Sequence, residues 1–178
     1  MTEDENLQLL LEPRRPLVLG EQYELRVEGL SKSTFGLFEN FGKGPGTRYR
    51  WQVAAAADTQ PPQWLATPAP VEKKYAANSE GLENYVLFSC PLQDSSACLV
   101  ETTILHASSG RKITFYVLPW RGRLPIGWFT CGGDIRFKSE ETYSVSFEAI
   151  DAAGNRASAT GTPITFRAPR KVASPWGY

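Results

Sequence analysis

One histidine, three cysteines and a scatter of acids are the side chains with which this chain could do covalent or acid–base chemistry. Cys131, His106 and Asp134 supply the residue types of a thiol nucleophile with its base and orienter. Yet Cys131-Gly132-Gly133-Asp134 matches no nucleophile signature, and His106 falls in a β-rich run where a strand position is its ordinary place. Glu140 and Glu141 are neighbours in sequence, so on a strand edge or turn they point apart and form no facing acid pair. No Gly-rich phosphate loop leads into a helix, and a single histidine without paired Cys-x-x-Cys motifs fits no zinc site. Enzymatic activity, a bound metal and a cofactor are therefore not expected. Cys90 and Cys98 flank the turn-like stretch Pro91 to Ala97, and a disulfide closing that loop is expected in an oxidising compartment. Cys90–Cys131 and Cys98–Cys131 pairings stay open beside it, as do three reduced, buried thiols.

Two other clusters carry recognition chemistry. Pro119-Trp120-Arg121-Gly122-Arg123-Leu124-Pro125-Ile126-Gly127-Trp128 holds two Trp and two Arg, and no acid occurs between Thr102 and Gly133. Trp and Arg are the residues most enriched at binding hot spots, and indole faces also stack on sugars. Trp120, Arg121, Arg123 and Trp128 are accordingly the candidate binding residues, although a sandwich core commonly absorbs one such Trp. The second cluster is Asp151-Ala152-Ala153-Gly154-Asn155. Asp151 and Asn155 are oxygen ligands of the kind calcium takes, but calcium needs about 6 to 8 oxygens and no other acid lies in the turn. Local turn chemistry is the expected role, with Asp151 accepting backbone N–H bonds and Gly154 and Asn155 tolerating left-handed backbone.

Strands must position these groups, because helix signals are nearly absent. Tyr143, Val145, Phe147 and Ala149 alternate with Ser144, Ser146 and Glu148, and Ile113, Phe115 and Val117 alternate within Lys112 to Leu118. Leu99 to Ala107 precedes that run, and Ser108-Ser109-Gly110 between them predicts a hairpin. Further strands are predicted at Tyr23 to Val27, Tyr49 to Val53, Tyr85 to Ser89 and Ile164 to Phe166. The best helix candidates, Leu7 to Glu12 and Ala54 to Ala57, are cut short by proline or a turn cluster. Many short strands separated by Gly and Pro define an all-β antiparallel sandwich or barrel. With 19 basic and 19 acidic residues the chain carries no net charge, which argues against nucleic acid as a partner. No run approaches the roughly 18 to 20 apolar residues of a membrane helix. The first residues, Met1-Thr2-Glu3-Asp4-Glu5, are acidic and do not read as a secretory signal.

Asp58-Thr59-Gln60-Pro61-Pro62 marks a boundary, since two prolines fix extended backbone and cannot join a central strand. Residues 58–63 then read as a Pro-rich linker, 64–170 as one sandwich and 171–178 as a tail. Residues 1–57 are too short for a second domain, and an internal repeat explains them. Glu21-Gln22-Tyr23-Glu24-Leu25-Arg26-Val27-Glu28 aligns with Glu141-Thr142-Tyr143-Ser144-Val145-Ser146-Phe147-Glu148, and Tyr49-Arg50-Trp51 aligns with Ile164-Thr165-Phe166. On that reading 1–57 is the C-terminal half of a like module, the other option being one enlarged sandwich.

The run from Tyr143 to Asn155 resembles the penultimate strand and turn of bacterial immunoglobulin-like and fibronectin-like modules, in which an aromatic, alternating strand ends in Asp-x-Ala-Gly-Asn. Asp58 to Pro62 is similar to the seams between tandem modules of that kind. The resemblance implies an immunoglobulin-like sandwich in a cell-envelope, periplasmic or extracellular protein. It implies a structural or adhesive role through contact with another protein or a neighbouring module. A carbohydrate-binding module using the Trp/Arg loop, with a polysaccharide as partner, is the alternative.

Overall fold

A computed structural model describes residues 11–26, 48–53, 58–78, 81–130, 132–159 and 161–172. In chain order the described strands begin with β1 (Gln22–Arg26), β2 (Arg48–Gln52), β3 (Gln63–Trp64), β4 (Pro70–Asn78), β5 (Gly81–Ser89) and β6 (Leu92–Gln93). They continue with β7 (Leu99–His106), β8 (Lys112–Val117), β9 (Arg123–Phe129), β10 (Gly132–Gly133), β11 (Thr142–Ile150), β12 (Arg156–Ser158) and β13 (Ile164–Arg167). All described pairings are antiparallel, and no helix occurs among the described residues. The chain divides into two compact units, 10–57 and a larger one built from 1–9 and 58–178. Of the two helix candidates, Leu7 to Leu10 and Ala54 to Ala57 lie outside the described residues, while Leu11 and Glu12 take no regular structure.

The larger unit packs two sheets face to face. One runs β10-β9-β5-β4; the other runs β12-β11-β7-β8, with β13 paired to β11 beyond β12. Val86, Phe88, Leu124 and Ile126 from the first meet Val100, Ile104, Phe115, Val117, Val145 and Phe147 from the second in one apolar core. Phe88 sits at its centre, edge-on to Phe147 at 5.3 Å and to Phe166 at 5.2 Å. Tyr143, Val145 and Phe147 all point inward, as their alternation predicts. The β7–β8 hairpin forms as predicted, with the turn at Ala107 to Gly110.

The Gly/Pro-rich stretch after Trp120 departs from expectation. Its composition argues against a plain strand, yet Arg123–Phe129 is β9, paired to β5 from Ser89↔Arg123 to Asn84↔Trp128. Proline is tolerated because β10 pairs only with Trp128 and Phe129, which leaves the other edge of β9 free of ladder bonds around Pro125. Glycine is required at 127, where φ is +136° and a Cβ would lie 2.3 Å from the Asn84 carbonyl oxygen. Strand β4 was not foreseen at all. Pro70-Val71-Glu72-Lys73-Lys74 lacks alternation because β4 is an edge strand, bulged between Pro70 and Glu72.

In the smaller unit β1 and β2 pair antiparallel, Tyr23↔Trp51 and Leu25↔Tyr49. Glu24 takes hydrogen bonds from Arg26 and Arg50, which hold its carboxyl down at about 2. The internal repeat extends to this pairing. In the larger unit Tyr143 pairs with Phe166 and Val145 with Ile164, the same positions in the same register. Tyr23 stacks on Trp51 at 6.2 Å and 26°, and Tyr143 on Phe166 at 5.9 Å and 24°. The Tyr23 hydroxyl accepts from the Val18 N–H at 2.8 Å, and the Tyr143 hydroxyl accepts from the Lys138 N–H at 3.0 Å, five residues upstream in each case. Gly20 and Glu140, equivalent in the alignment, both take positive φ, 83° and 60°. In each repeat the tyrosine is thus bonded back to the chain just before its own strand.

Candidate functional site

The outward faces of the two sheets differ in kind. On the five-stranded sheet, the residues opposite the core are mostly polar and several are bonded to one another, with Leu105 an exposed apolar exception. Thr103 and Thr114 hydroxyls lie 2.9 Å apart, the Tyr116 hydroxyl donates to Glu101 at 3.3 Å, and Arg156 bridges Glu148 and Glu101 at 2.6 and 3.2 Å. That is the usual solvated face of an antiparallel sheet.

The outward face of the four-stranded sheet carries an apolar strip along β5 and β9, bordered by charged residues. Glu83, Tyr85 and Leu87 on β5 and Arg123, Pro125 and Phe129 on β9 line a groove of about 450 Å³, with Trp120 at its side. Tyr85 and Phe129 stack at 4.8 Å and 17° in its floor. The Tyr85 hydroxyl donates to Glu72 at 2.7 Å, and burial together with that carboxylate pushes its ionisation up to about 12, so it remains a donor at any working pH. Lys74 pairs with Glu83 at 2.5 Å on the rim.

A tight turn places Trp120. Trp120 and Arg123 exchange N–H···O bonds of 2.9 and 3.0 Å across Arg121-Gly122, whose φ values are 49° and 70°. Two consecutive positive φ angles are the mark of a type I′ hairpin turn. The ring of Trp120 is 60% exposed, and the Arg121 guanidinium lies 4.5 Å from its centroid. Trp120, Arg121 and Arg123 are thus brought together, as their sequence proximity suggests. Trp128 is not with them. It lies on the inward-facing side of β9 with Leu124 and Ile126, half-buried, with the Arg136 guanidinium 3.7 Å from its ring centroid. Tyr85, Leu87, Pro125 and Phe129 were missed as site residues. A signal existed in Tyr85-Val86-Leu87-Phe88, an unbroken apolar run of the kind a strand shows when both its faces are apolar.

His106 is tied into the hairpin turn that follows it. Its Nε2 lies 2.5 Å from Glu141 Oε2 and its Nδ1 2.7 Å from the Ser109 hydroxyl, and the ring stacks on Tyr143 at 4.7 Å. The Ser108 hydroxyl also donates to Glu141 at 2.9 Å, and with His106 it holds the Glu141 carboxyl below its ordinary range. The order hydroxyl–imidazole–carboxylate is that of a nucleophilic relay, but the N–H groups beside Ser109 are engaged. Gly110 donates to the His106 carbonyl and Arg111 to the Ser109 hydroxyl. The cluster clamps β7–β8 to β11. Cys131 lies outside the described residues, and Asp134 is held by burial above its ordinary carboxyl range.

At another corner of the same unit three acids meet. One carboxylate oxygen each from Asp58, Asp94 and Asp151 lies within 4.8 Å of the others, a donor set suited to a hard cation. Asp151 is also the local turn acceptor expected of it, bonded at 2.8 Å by the N–H groups of Ala153 and Asn155 and by the Asn155 amide. The Asn155 amide bonds the Asp58 carbonyl at 3.0 Å, tying the Pro-rich stretch onto this turn. Counting acids within the turn alone overlooked Asp58 and Asp94, which arrive from 93 and 57 residues away in sequence. Cys98 lies beside these carboxylates and Cys90 is buried. Burial pushes the Cys90 thiol up to about 11, and burial with Asp94 and Asp151 raises Cys98. Both stand as free thiols.

No protein-family model matches the chain, nor does any curated protein or solved structure.

Proposed function

We propose that this chain is a non-catalytic, immunoglobulin-like binding module of a cell-envelope or secreted protein, and that it makes its contact through the outward face of the four-stranded sheet. The observation that carries the reading is the contrast between the two outward faces. One is mostly polar and largely bonded within itself, with Leu105 its exposed hydrophobic, while the other exposes Trp120 beside an apolar groove. The immunoglobulin-like assignment is supported by the two tyrosine corners, at Tyr23 and Tyr143, and by the matching strand registers behind them. Two such corners in one chain suit a tandem array, in which 1–57 contributes strands of one module and 64–170 forms the next. The non-catalytic part rests on His106, whose ring nitrogens and neighbouring amides are occupied in closing a hairpin. In an oxidising compartment Cys90 and Cys98 are the thiols expected to pair, slowly, because the thiolate is the reactive form.

The test is cosedimentation with envelope preparations of the source cells. The parent should pellet with them, and a Trp120→Ala, Arg123→Ala variant with an unchanged circular dichroism spectrum should stay in solution. A parent that does not pellet, or a variant that pellets equally, removes the reading.

A further inference from the structure

The proposed contact face leaves its ligand class open, and the groove has features that discriminate. Resting on that reading, we infer that the groove binds a segment of neutral polysaccharide, with sugar ring faces against Trp120 and Phe129 and hydroxyls bonded by Glu83 and Arg123.

Size is the first ground. Seven residues line the groove, whereas a stable protein–protein interface engages about 20 to 30 residues a side. The groove, about 450 Å³, is open to solvent along its length, as a site that takes a segment of a longer chain must be. A second copy of the chain, or a folded partner, would have to spread beyond the groove onto Glu72, Lys74 and Arg121, where charge is left to desolvate.

Charge is the second ground. The rim carries Glu72 and Glu83 beside Lys74, Arg121 and Arg123, and Lys74 is already paired with Glu83. An anionic polymer would meet two carboxylates, and a cationic one would meet three bases. A polyol meets donors and acceptors alike. Glu83 accepts from hydroxyls, Arg123 donates to them, and neither needs an opposite charge.

Ring geometry is the third ground. A pyranose presents a flat patch of C–H groups that stacks on an aromatic face, with its hydroxyls pointing outward to the rim. Arg121 packs against the Trp120 indole, and the ring still stands 60% exposed at the side of the groove. The type I′ turn fixes the backbone at Trp120, and the stacked Tyr85 and Phe129 line the same groove further along β9, so ring surfaces are held in place before any ligand arrives. Polar donors and acceptors bordering a pre-formed aromatic surface are what a chain of alternating apolar faces and hydroxyl edges requires.

The test uses the full chain with cellohexaose, chitohexaose and mannohexaose as neutral probes and polygalacturonate as the anionic one, read by tryptophan fluorescence and calorimetry. At least one neutral hexaose should bind, with polygalacturonate no tighter. Trp120→Ala should weaken that binding by about tenfold or more, with Trp120→Tyr largely restoring it. Trp128→Phe, on the inward side of β9, should leave it within about twofold. The inference falls if no neutral hexaose binds or if Trp120→Ala binds as tightly as the parent. Periodate treatment of the envelope, which cleaves vicinal diols, separates the two levels. Trp120-dependent pelleting that survives periodate but not protease digestion would leave the contact face standing and make the ligand a protein.

Discussion

The two outward sheet faces of the larger unit begin from the same strand geometry and end with opposite surfaces. Each sheet turns alternate residues inward to one shared core. Outside the five-stranded sheet, Glu101, Thr103, Thr114, Tyr116, Glu148 and Arg156 answer one another's hydrogen bonds. Outside the four-stranded sheet, Tyr85, Leu87, Pro125 and Phe129 satisfy one another by packing, and Trp120 stands largely in solvent. A solvated sheet face gains nothing from such residues, and on the function proposed above a bound counterpart is what covers them.

The largest effect that bears on this contrast is expected at Gly127, which lets β9 approach β5 beneath the groove. A Cβ there would lie 2.3 Å from the Asn84 carbonyl oxygen and 2.5 Å from Tyr85 Cα, at a φ that side chains rarely adopt. Gly127→Ala should destabilise the fold by about 3 kcal/mol or more, read as a lowered midpoint in urea, or prevent folding outright. An alanine variant as stable as the parent would mean that β9 does not pack on β5 this closely. Next is Trp120→Ala, expected to change stability by no more than about 0.5 kcal/mol while weakening ligand binding by about tenfold or more. Thr114→Ala on the opposite face should leave both properties nearly unchanged. If the two substitutions behaved alike, the distinction between the faces would be lost.

The polar face has its own, smaller signature. Removing the Arg156 bridge by Arg156→Met should cost about 0.5 kcal/mol, because Arg156, Glu101 and Glu148 remain partly exposed and are screened by solvent. Raising the salt should shrink the difference between parent and variant. A larger, salt-insensitive loss would mean that this face is covered. Beside the start of β11 in the same sheet, Glu141 carries a depressed carboxyl, held first by Ser108 and then by His106. A carboxyl lowered in the folded state contributes stability that is complete above the ordinary value near about 4.3 and is lost as pH falls through the folded one. Denaturation midpoints of the parent should therefore fall more steeply below about pH 4.3 than those of Glu141→Gln. Parallel curves would release Glu141 from the clamp.

Much of this architecture is legible in the residues. The inward alternation of Tyr143, Val145 and Phe147 and the β7–β8 hairpin are local patterns, and local patterns survive folding. The repeat between 21–28 and 141–148 is legible too, and it carries more than similarity, since the strand register and the Tyr–backbone bond travel with it. What could not be read was set by distant partners. Asp58, Asp94 and Asp151 converge only once the Pro-rich stretch and the loop after β6 are folded onto the turn after β11. Trp120 and Trp128 read as one patch because they are eight residues apart in one loop. The hairpin turn between them sets Trp120 across from Arg123 on the outward face, while β9 carries Trp128 inward with Ile126. A single turn type thus decides which of two similar residues reaches solvent.

That turn supplies the smallest expected effect, and the one that separates folding from recognition most cleanly. Arg121 occupies the first central position at φ 49°, where a side-chain-bearing residue is strained and Asn or Gly is preferred. Gly122 already supplies the second position at φ 70°. An Asn at 121 completes the Asn-Gly pair that type I′ turns favour, so Arg121→Asn should stabilise the fold by about 0.5 kcal/mol. The same change removes the guanidinium packed 4.5 Å from the Trp120 centroid, and with it the support that holds the indole beside the groove. Ligand binding should then weaken by a few-fold although the scaffold has become firmer. Stabilisation with undiminished binding would show that Arg121 neither orients Trp120 nor touches the ligand, and the contact would contract to Trp120, Arg123 and the groove itself. Destabilisation would mean that the packing of Arg121 on Trp120 outweighs the strain of its backbone.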